Sequence, residues 1–232
     1  MNTKKIKLFL INDGFVDKYL NKYKNDFIQS IIKKDGVVDL VLNFNEGTKD
    51  KVEIFFKKYS KYIFPNKDLK ILLYNLLVKN KLKIAFAESC TGGNIASSFV
   101  YDVEGASKCF IGSFVTYSNE LKHDILKVSK RSLKEFGAVS LEVVEEMVKG
   151  SFDITNADIV AAISGITGPT GGTKEKPVGT ICIAISLKNK FFDKGIIKLN
   201  GNRQSMIKYV TNLIYFLIWR RLNLNIPCFN DE

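Results

Sequence analysis

Residues 83–100 read KIAFAESCTGGNIASSFV, and this stretch decides the fold. Positions 83–87 form a short apolar run of strand length. Positions 89–93 are a tight polar turn with two glycines, and helical spacing resumes over 94–100. A strand that passes through a glycine-bearing turn into a helix is the building step of a sheet covered by helices. The pattern continues downstream. A strand is expected over 109–117, and short helices over 120–126 and 129–136. A helix over 141–152 is capped by Ser140, with Glu142 and Glu145 in its early turns, where negative charge is favoured. A buried strand follows at 159–163, a loop at 164–177 and a strand at 178–187. A strand at 191–199 pairs antiparallel with it, and a helix over 204–223 closes the chain. Upstream, 69–80 has helical periodicity. Alternation of this kind predicts an α/β domain with helices on both faces of the sheet.

Residues 1–68 differ from this. They show a strand at 6–11, a Lys-rich helical stretch at 16–33, and a strand at 37–44 turning at Asn45-Glu46-Gly47. Thr48 then stands as the N-cap of a helix over 49–62. Pro65-Asn66 marks the boundary. The expected division is a small α+β appendage over 1–68, a main domain over 69–224 and a tail over 225–232.

Composition narrows the function. The chain has 232 residues, 46% of them hydrophobic, enough for one good-sized domain or one with an appendage. The formal charge of +11 would suit an anionic partner. The lysines are scattered, however, with no like-charged block of the kind that forms a nucleic-acid arm, so a plain bias toward Lys, Ile, Asn and Phe accounts for it better. The four cysteines, Cys90, Cys109, Cys182 and Cys228, form no C-x-x-C pair, which argues against a zinc ribbon or a thioredoxin-type site. A single histidine, His123, rules out metal sites built on two or more histidines. The apolar run near the N-terminus is too short for a signal-peptide core. The apolar stretch at 210–219 is far short of the ~20 residues of a membrane span. A cytoplasmic protein with a buried C-terminal helix is expected.

Three polar segments follow or end expected strands: AESCTGG (87–93), TYSNELK (116–122), and SGITGPTGG (164–172) with KPVGT (176–180) beyond it. Ligands of such sheets bind outside the carboxyl ends of the strands. Ser89 stands on the strand-to-helix turn, where its hydroxyl is either a nucleophile or a cap for the following helix. The residues after it lead into a helix N-terminus whose free amides can hold an oxyanion or a phosphate. G-x-S-x-G is absent, so the α/β-hydrolase elbow does not apply. A nucleophilic serine needs a base, either His123 or Lys122. The lysine would need its pKa lowered by roughly three units from about 10.4. Tyr117 could relay or orient the proton. Cys90 is a rival nucleophile or a small buried residue. The 165–172 loop is not a Walker motif. Arg203, in GNRQS, could clamp a phosphate or be solvated.

Taken together, AESCTGG, GSFVTYSNELK (112–122), GAVS (137–140), SGITGPTGG, KPVGT and GNR (201–203) resemble the CinA C-terminal domain family, which includes nicotinamide-nucleotide amidases. The resemblance covers about 69–224. It implies a three-layer α/β/α sandwich with a mixed sheet. The implied activity is hydrolysis of nicotinamide mononucleotide to nicotinate mononucleotide and ammonia, with no metal and no cofactor. It carries over Ser89 as nucleophile and Lys122 and Tyr117 as its activating partners. It places Thr91, Gly92 and Gly93 near the oxyanion or nucleotide, and Ser164, Gly165 and Arg203 in substrate binding. The expected partner is a small-molecule nucleotide, with no membrane and no nucleic acid, and homo-oligomerisation is open. The sequence departs from the family at Ser113, commonly Gly, and Thr167, commonly Ala. The segment before residue 69 is too short for the molybdopterin-biosynthesis-like domain of full-length relatives, so it reads as a shortened relic of their middle domain, and pyrophosphatase activity is not expected. The alternative reading is an inactive nucleotide-binding or competence-associated interaction protein.

Overall fold

The computed structural model describes residues 1–9 and 20–229. It divides into two compact units, Met1–Leu69 and Lys70–Glu232.

Among its described residues the first unit is a four-stranded antiparallel sheet with one α-helix. Strands β1 (Asn2–Phe9), β2 (Ile28–Lys34), β3 (Val37–Phe44) and β4 (Ile63–Phe64) lie in the order β2-β3-β1-β4. Helix α1 (Lys49–Tyr59) buries Val52, Phe55 and Tyr59. Phe55 meets the rings of Tyr23 and Phe27 edge-on at 5.5 and 5.6 Å.

Two expectations need correction here. The helix expected over 16–33 is not formed by its described part: Asn21–Tyr23 is a short 3-10 turn and Ile28–Lys34 is a strand. A register shift between Ile28 and Ser30 breaks the strand's alternation, so Ile28, Ile31 and Ile32 fall at helix-like spacing. The decisive signal is Asp35-Gly36, with φ of 49° and 83°, a two-residue hairpin turn between β2 and β3. The helix expected over 49–62 ends at Tyr59 and is followed by a 3-10 turn and β4. Thr48 stands at its N-cap as expected, though without a side-chain bond to the helix; its hydroxyl bonds back to Asn45. Residues 10 and 11 of the strand expected at 6–11, and 16–19 of the helix, lie outside the described residues.

The second unit opens with α2 (Leu69–Lys79), whose Leu73 and Leu77 are fully buried. Its sheet is five-stranded, in the order β6 (Phe110–Val115), β5 (Ile84–Glu88), β7 (Ile159–Gly165), β8 (Thr180–Leu187), β9 (Phe191–Lys198). The first three strands are parallel, and β8 and β9 run antiparallel to their neighbours, so the sheet is mixed.

The central strands are apolar because both faces are covered. Ala85 and Ala87 of β5, Val160 and Ala162 of β7, and Cys182 and Ala184 of β8 pack with Leu126 of α4 (Asn119–Leu126) and with Val143, Val144, Met147 and Val148 of α6 (Leu141–Thr155). On the other face Phe86 meets Phe99 of α3 (Asn94–Asp102) and Tyr215 of α7 (Arg203–Leu224), with ring centroids 6.4 and 6.5 Å apart. A side chain such as Phe86 contributes about 1.5–3 kcal/mol by leaving water. The result is a three-layer α/β/α sandwich. Ser140 caps α6 through its hydroxyl, which accepts from the Val143 amide, and α5 (Lys130–Glu135) is capped in the same way by Ser129. Among the described residues no helix is long and apolar enough to cross a membrane.

Candidate active site

The period-2 alternation of β5 sends successive side chains to opposite faces of the sheet. Ala87 faces α6 and Phe86 faces α3 and α7, so Glu88 is turned toward α3 and Ser89 toward α4. Lys122 comes from α4. Ser118 caps that helix by accepting from the Leu121 amide, and its buried face carries Lys122 and Leu126, four residues apart.

Lys122 is 1% exposed, and its Nζ lies 3.0 Å from Ser89 Oγ, 2.8 Å from the Thr116 carbonyl and 3.3 Å from the Tyr117 carbonyl. The two carbonyls can only accept, so they require two of the amine's hydrogens. In the neutral amine that leaves the nitrogen lone pair directed at the Ser89 hydroxyl. Among the described residues no carboxylate forms an ion pair with Lys122. Burial therefore acts against its charged form and lowers its pKa below the usual lysine value.

Neither rival is set up to fill its role. The His123 Nδ1 bonds the Val128 carbonyl at 2.8 Å. Cys90 is buried, and loss of hydration pushes its thiol up to about 12, away from thiolate chemistry. Ser89 does not cap α3; the N-cap position is Gly93, in the left-handed region at φ 92°.

Sequence reasoning missed Glu88. This fully buried carboxylate accepts from the Ile95 and Ala96 amides at 3.0 and 2.9 Å and so occupies the N-terminus of α3. The helix amides expected to be free for an anion are thus taken. Within the turn the Gly92 amide, expected near the oxyanion, is taken by the Ser89 carbonyl at 3.0 Å, while no main-chain acceptor among the described residues is bonded to the amides of Cys90, Thr91 and Gly93. These are the donors left beside Ser89, and they can face an oxyanion. The one available clue was a carboxylate ending an otherwise apolar strand just before a helix start.

The remaining expected positions surround this pair. Gly92 and Gly93 both adopt positive φ, and a side chain at Gly93 would press on Val115 at 3.3 Å. The Thr91 hydroxyl donates to Glu88 at 2.8 Å. Tyr117 is 59% exposed; its hydroxyl accepts from Arg203 at 3.2 Å, while its carbonyl serves Lys122. Arg203 also donates to the Thr167 hydroxyl at 2.8 Å and the Gly168 carbonyl at 3.3 Å, which joins the 116–122 segment, the glycine loop and the start of α7. The Ser164 hydroxyl donates to the Ala138 carbonyl at 2.7 Å, and Lys176 Nζ donates to the Phe136 and Val139 carbonyls, so both pin the 136–139 loop. Gly165 is closely packed: a Cβ there would stand 2.4 Å from the tip of the Ile181 side chain, 3.0 Å from the Thr180 carbonyl oxygen and 3.1 Å from Cys90 Sγ. Among the described residues no three His, Cys, Asp or Glu side chains are grouped to hold a metal ion.

Comparison with known proteins agrees with this architecture. Residues 66–221 match the CinA C-terminal domain. A CinA-like protein of Fervidobacterium nodosum is 48% identical over 162 residues, covering 70% of this chain and 39% of its own length. The likeness to a CinA-like protein of Thermosipho melanesiensis, 36% over 230 residues, covers 94% of this chain and 56% of that one. The chain thus spans about two fifths to a little over half the length of these relatives. Among solved structures, the competence/damage inducible protein CihA from Agrobacterium tumefaciens superposes with a TM-score of 0.63 at 31% identity, over 69% of this chain and 98% of that one. A CinA superfamily protein from Enterobacter cloacae gives 0.64 at 30% identity, over 69% and 96%. Fold, site motifs and relatives converge, and the chain belongs to the CinA C-terminal domain family.

Proposed function

We propose that this chain is an amidohydrolase that cleaves the carboxamide of nicotinamide mononucleotide by acyl transfer through Ser89. The observation that carries the reading is the buried amine of Lys122, 3.0 Å from Ser89 Oγ and held by two carbonyls with no carboxylate partner. That arrangement favours a neutral lysine, as a general base for a serine requires. The substrate follows from the family resemblance and from Arg203, a cation beside the glycine loop suited to a phosphate.

In the first half-reaction Lys122 takes the Ser89 proton as Oγ bonds to the carboxamide carbon. The amides of Thr91 and Gly93 stabilise the oxyanion. The tetrahedral adduct then breaks its C–N bond, and the departing nitrogen takes the proton from Lys122 and leaves as ammonia. In the second half-reaction water gives a proton to Lys122 and attacks the acyl-enzyme. Collapse releases the nicotinate product and returns the proton to Ser89. Tyr117 orients the base through its carbonyl and steadies Arg203 through its hydroxyl. Ser164 and Gly165 shape the wall of the site.

The test is ammonia release by purified protein from nicotinamide mononucleotide, with free nicotinamide as comparison. The reading expects turnover of the nucleotide and little of the free base. Absence of ammonia from both, with binding of the nucleotide retained, would instead leave a non-catalytic nucleotide-binding module.

A further inference from the structure

Glu88 touches neither Ser89 nor Lys122 in the hydrogen-bond network, yet it ties together the segments that carry them. Thr91 Oγ1 and the Ile95 amide donate to Oε2 at 2.8 and 3.0 Å, and the Ala96 amide and Ser113 Oγ donate to Oε1, both at 2.9 Å. Each oxygen thus meets two donors. Two of the four are main-chain amides that cannot reverse, so only an acceptor at both ends of the group satisfies the set. The donors come from the turn after Ser89, from the first turn of α3 and from β6. Strand β6 leads within three residues to Thr116 and Tyr117, whose carbonyls hold Lys122. The Glu88 main-chain carbonyl accepts from the Thr116 amide at 2.9 Å, so the same residue fastens β6 by its backbone as well.

We propose that Glu88, with Ser113 as its partner on β6, is a positioning residue that sets the distance between the Ser89 hydroxyl and the Lys122 amine. It holds the 89–93 turn from one side and the carbonyl cradle of Lys122 from the other, and it does not contact substrate. This rests on the Ser89–Lys122 reading above.

The experiment compares Glu88→Gln, Ser113→Ala and Ser113→Thr with wild type, by kcat and KM for nicotinamide mononucleotide, thermal midpoint and crystal structure. Glu88→Gln turns an N–H2 toward an N–H donor and loosens the turn. Its expected loss is about a hundredfold in kcat, the scale of a misplacement of about 1 Å, with KM little changed. Its crystal structure is expected to show the Ser89–Lys122 contact lengthened beyond hydrogen-bonding distance. Ser113→Ala loses several-fold in kcat, and Ser113→Thr, which keeps the hydroxyl, recovers most of it. A folded Glu88→Gln protein with the contact intact and kcat unchanged overturns the proposal, as does a loss confined to KM. Should Glu88→Gln fail to fold, Ser113→Ala decides: unchanged kcat overturns it. Should wild type release no ammonia, the acyl-transfer reading falls, and the Ser89–Lys122 distance in the variant crystals still decides the positioning claim.

Discussion

Gly150 lies in the body of α6, where helix propensity alone favours alanine by about 1 kcal/mol. The structure reverses that expectation. A Cβ at Gly150 would stand 1.9 Å from the Leu126 carbonyl oxygen and 2.6 and 2.8 Å from the adjoining carbon atoms, all main chain of α4. Real Cβ contacts essentially never fall below 3.0 Å, so α4 must withdraw by about 1 Å in Gly150→Ala. Lys122 is on the same helix, one turn before Leu126. The displacement therefore moves the amine relative to Ser89, whose contact is 3.0 Å. Overpacking costs about 1–3 kcal/mol, and the propensity gain of about 1 kcal/mol offsets part of it. A net loss of up to about 2 kcal/mol is expected, with a fall in turnover of about a hundredfold from misplacement of about 1 Å. Urea unfolding reads the first, and ammonia release under conditions where the variant is fully folded reads the second. A variant as stable as wild type with undiminished turnover would refute the coupling of α6 packing to the Ser89–Lys122 contact.

Further outcomes follow from the same geometry. Because burial lowers the Lys122 pKa, kcat/KM should rise with pH and level off below the ordinary lysine value of about 10.4, and Lys122→Arg should show neither the rise nor the activity. In that same window the unfolded chain holds the proton that the native lysine has released. Stability linked to this group therefore increases as pH rises toward about 10.4, and the increment should be missing from Lys122→Met in paired denaturation curves. Cys90→Ala should keep most activity, and native protein should resist thiol reagents at Cys90, since the thiol is buried and pushed up to about 12. Arg203→Ala should raise KM for the nucleotide far more than it lowers kcat. Tyr117→Phe, which removes only the hydroxyl that accepts from Arg203, should show a weaker form of the same KM effect.

The sheet-and-helix alternation of the second unit was legible because its signals are local: an apolar run at 83–87, glycines at 92 and 93, and a serine at 140 that caps as its position suggests. The first unit was harder. A bulge at the start of β2 imitated helical spacing, and the Asp35-Gly36 turn that specifies the hairpin was passed over. At the site, residue types left Cys90 and His123 open as rivals, and the family resemblance pointed to Ser89, Lys122, Tyr117 and Arg203. Spacing along the chain could not show that the Tyr117 phenol turns to Arg203 while its carbonyl holds the base. Nor could it show that Gly165 and Gly150 answer to packing, because the atoms that crowd a side chain there belong to distant segments. Glu88 stayed hidden for a related reason: its role is defined by donors on α3 and β6 that only the folded chain assembles.

In the proposed reaction the Ser89 oxygen carries the acyl group. Mass spectrometry of protein quenched during turnover of nicotinamide mononucleotide tests it most directly, with Ser89→Ala beside it. A pyridine-acyl adduct is expected on the peptide bearing Ser89, with neither adduct nor ammonia in the variant. An adduct on Cys90, or undiminished ammonia release by Ser89→Ala, would contradict it.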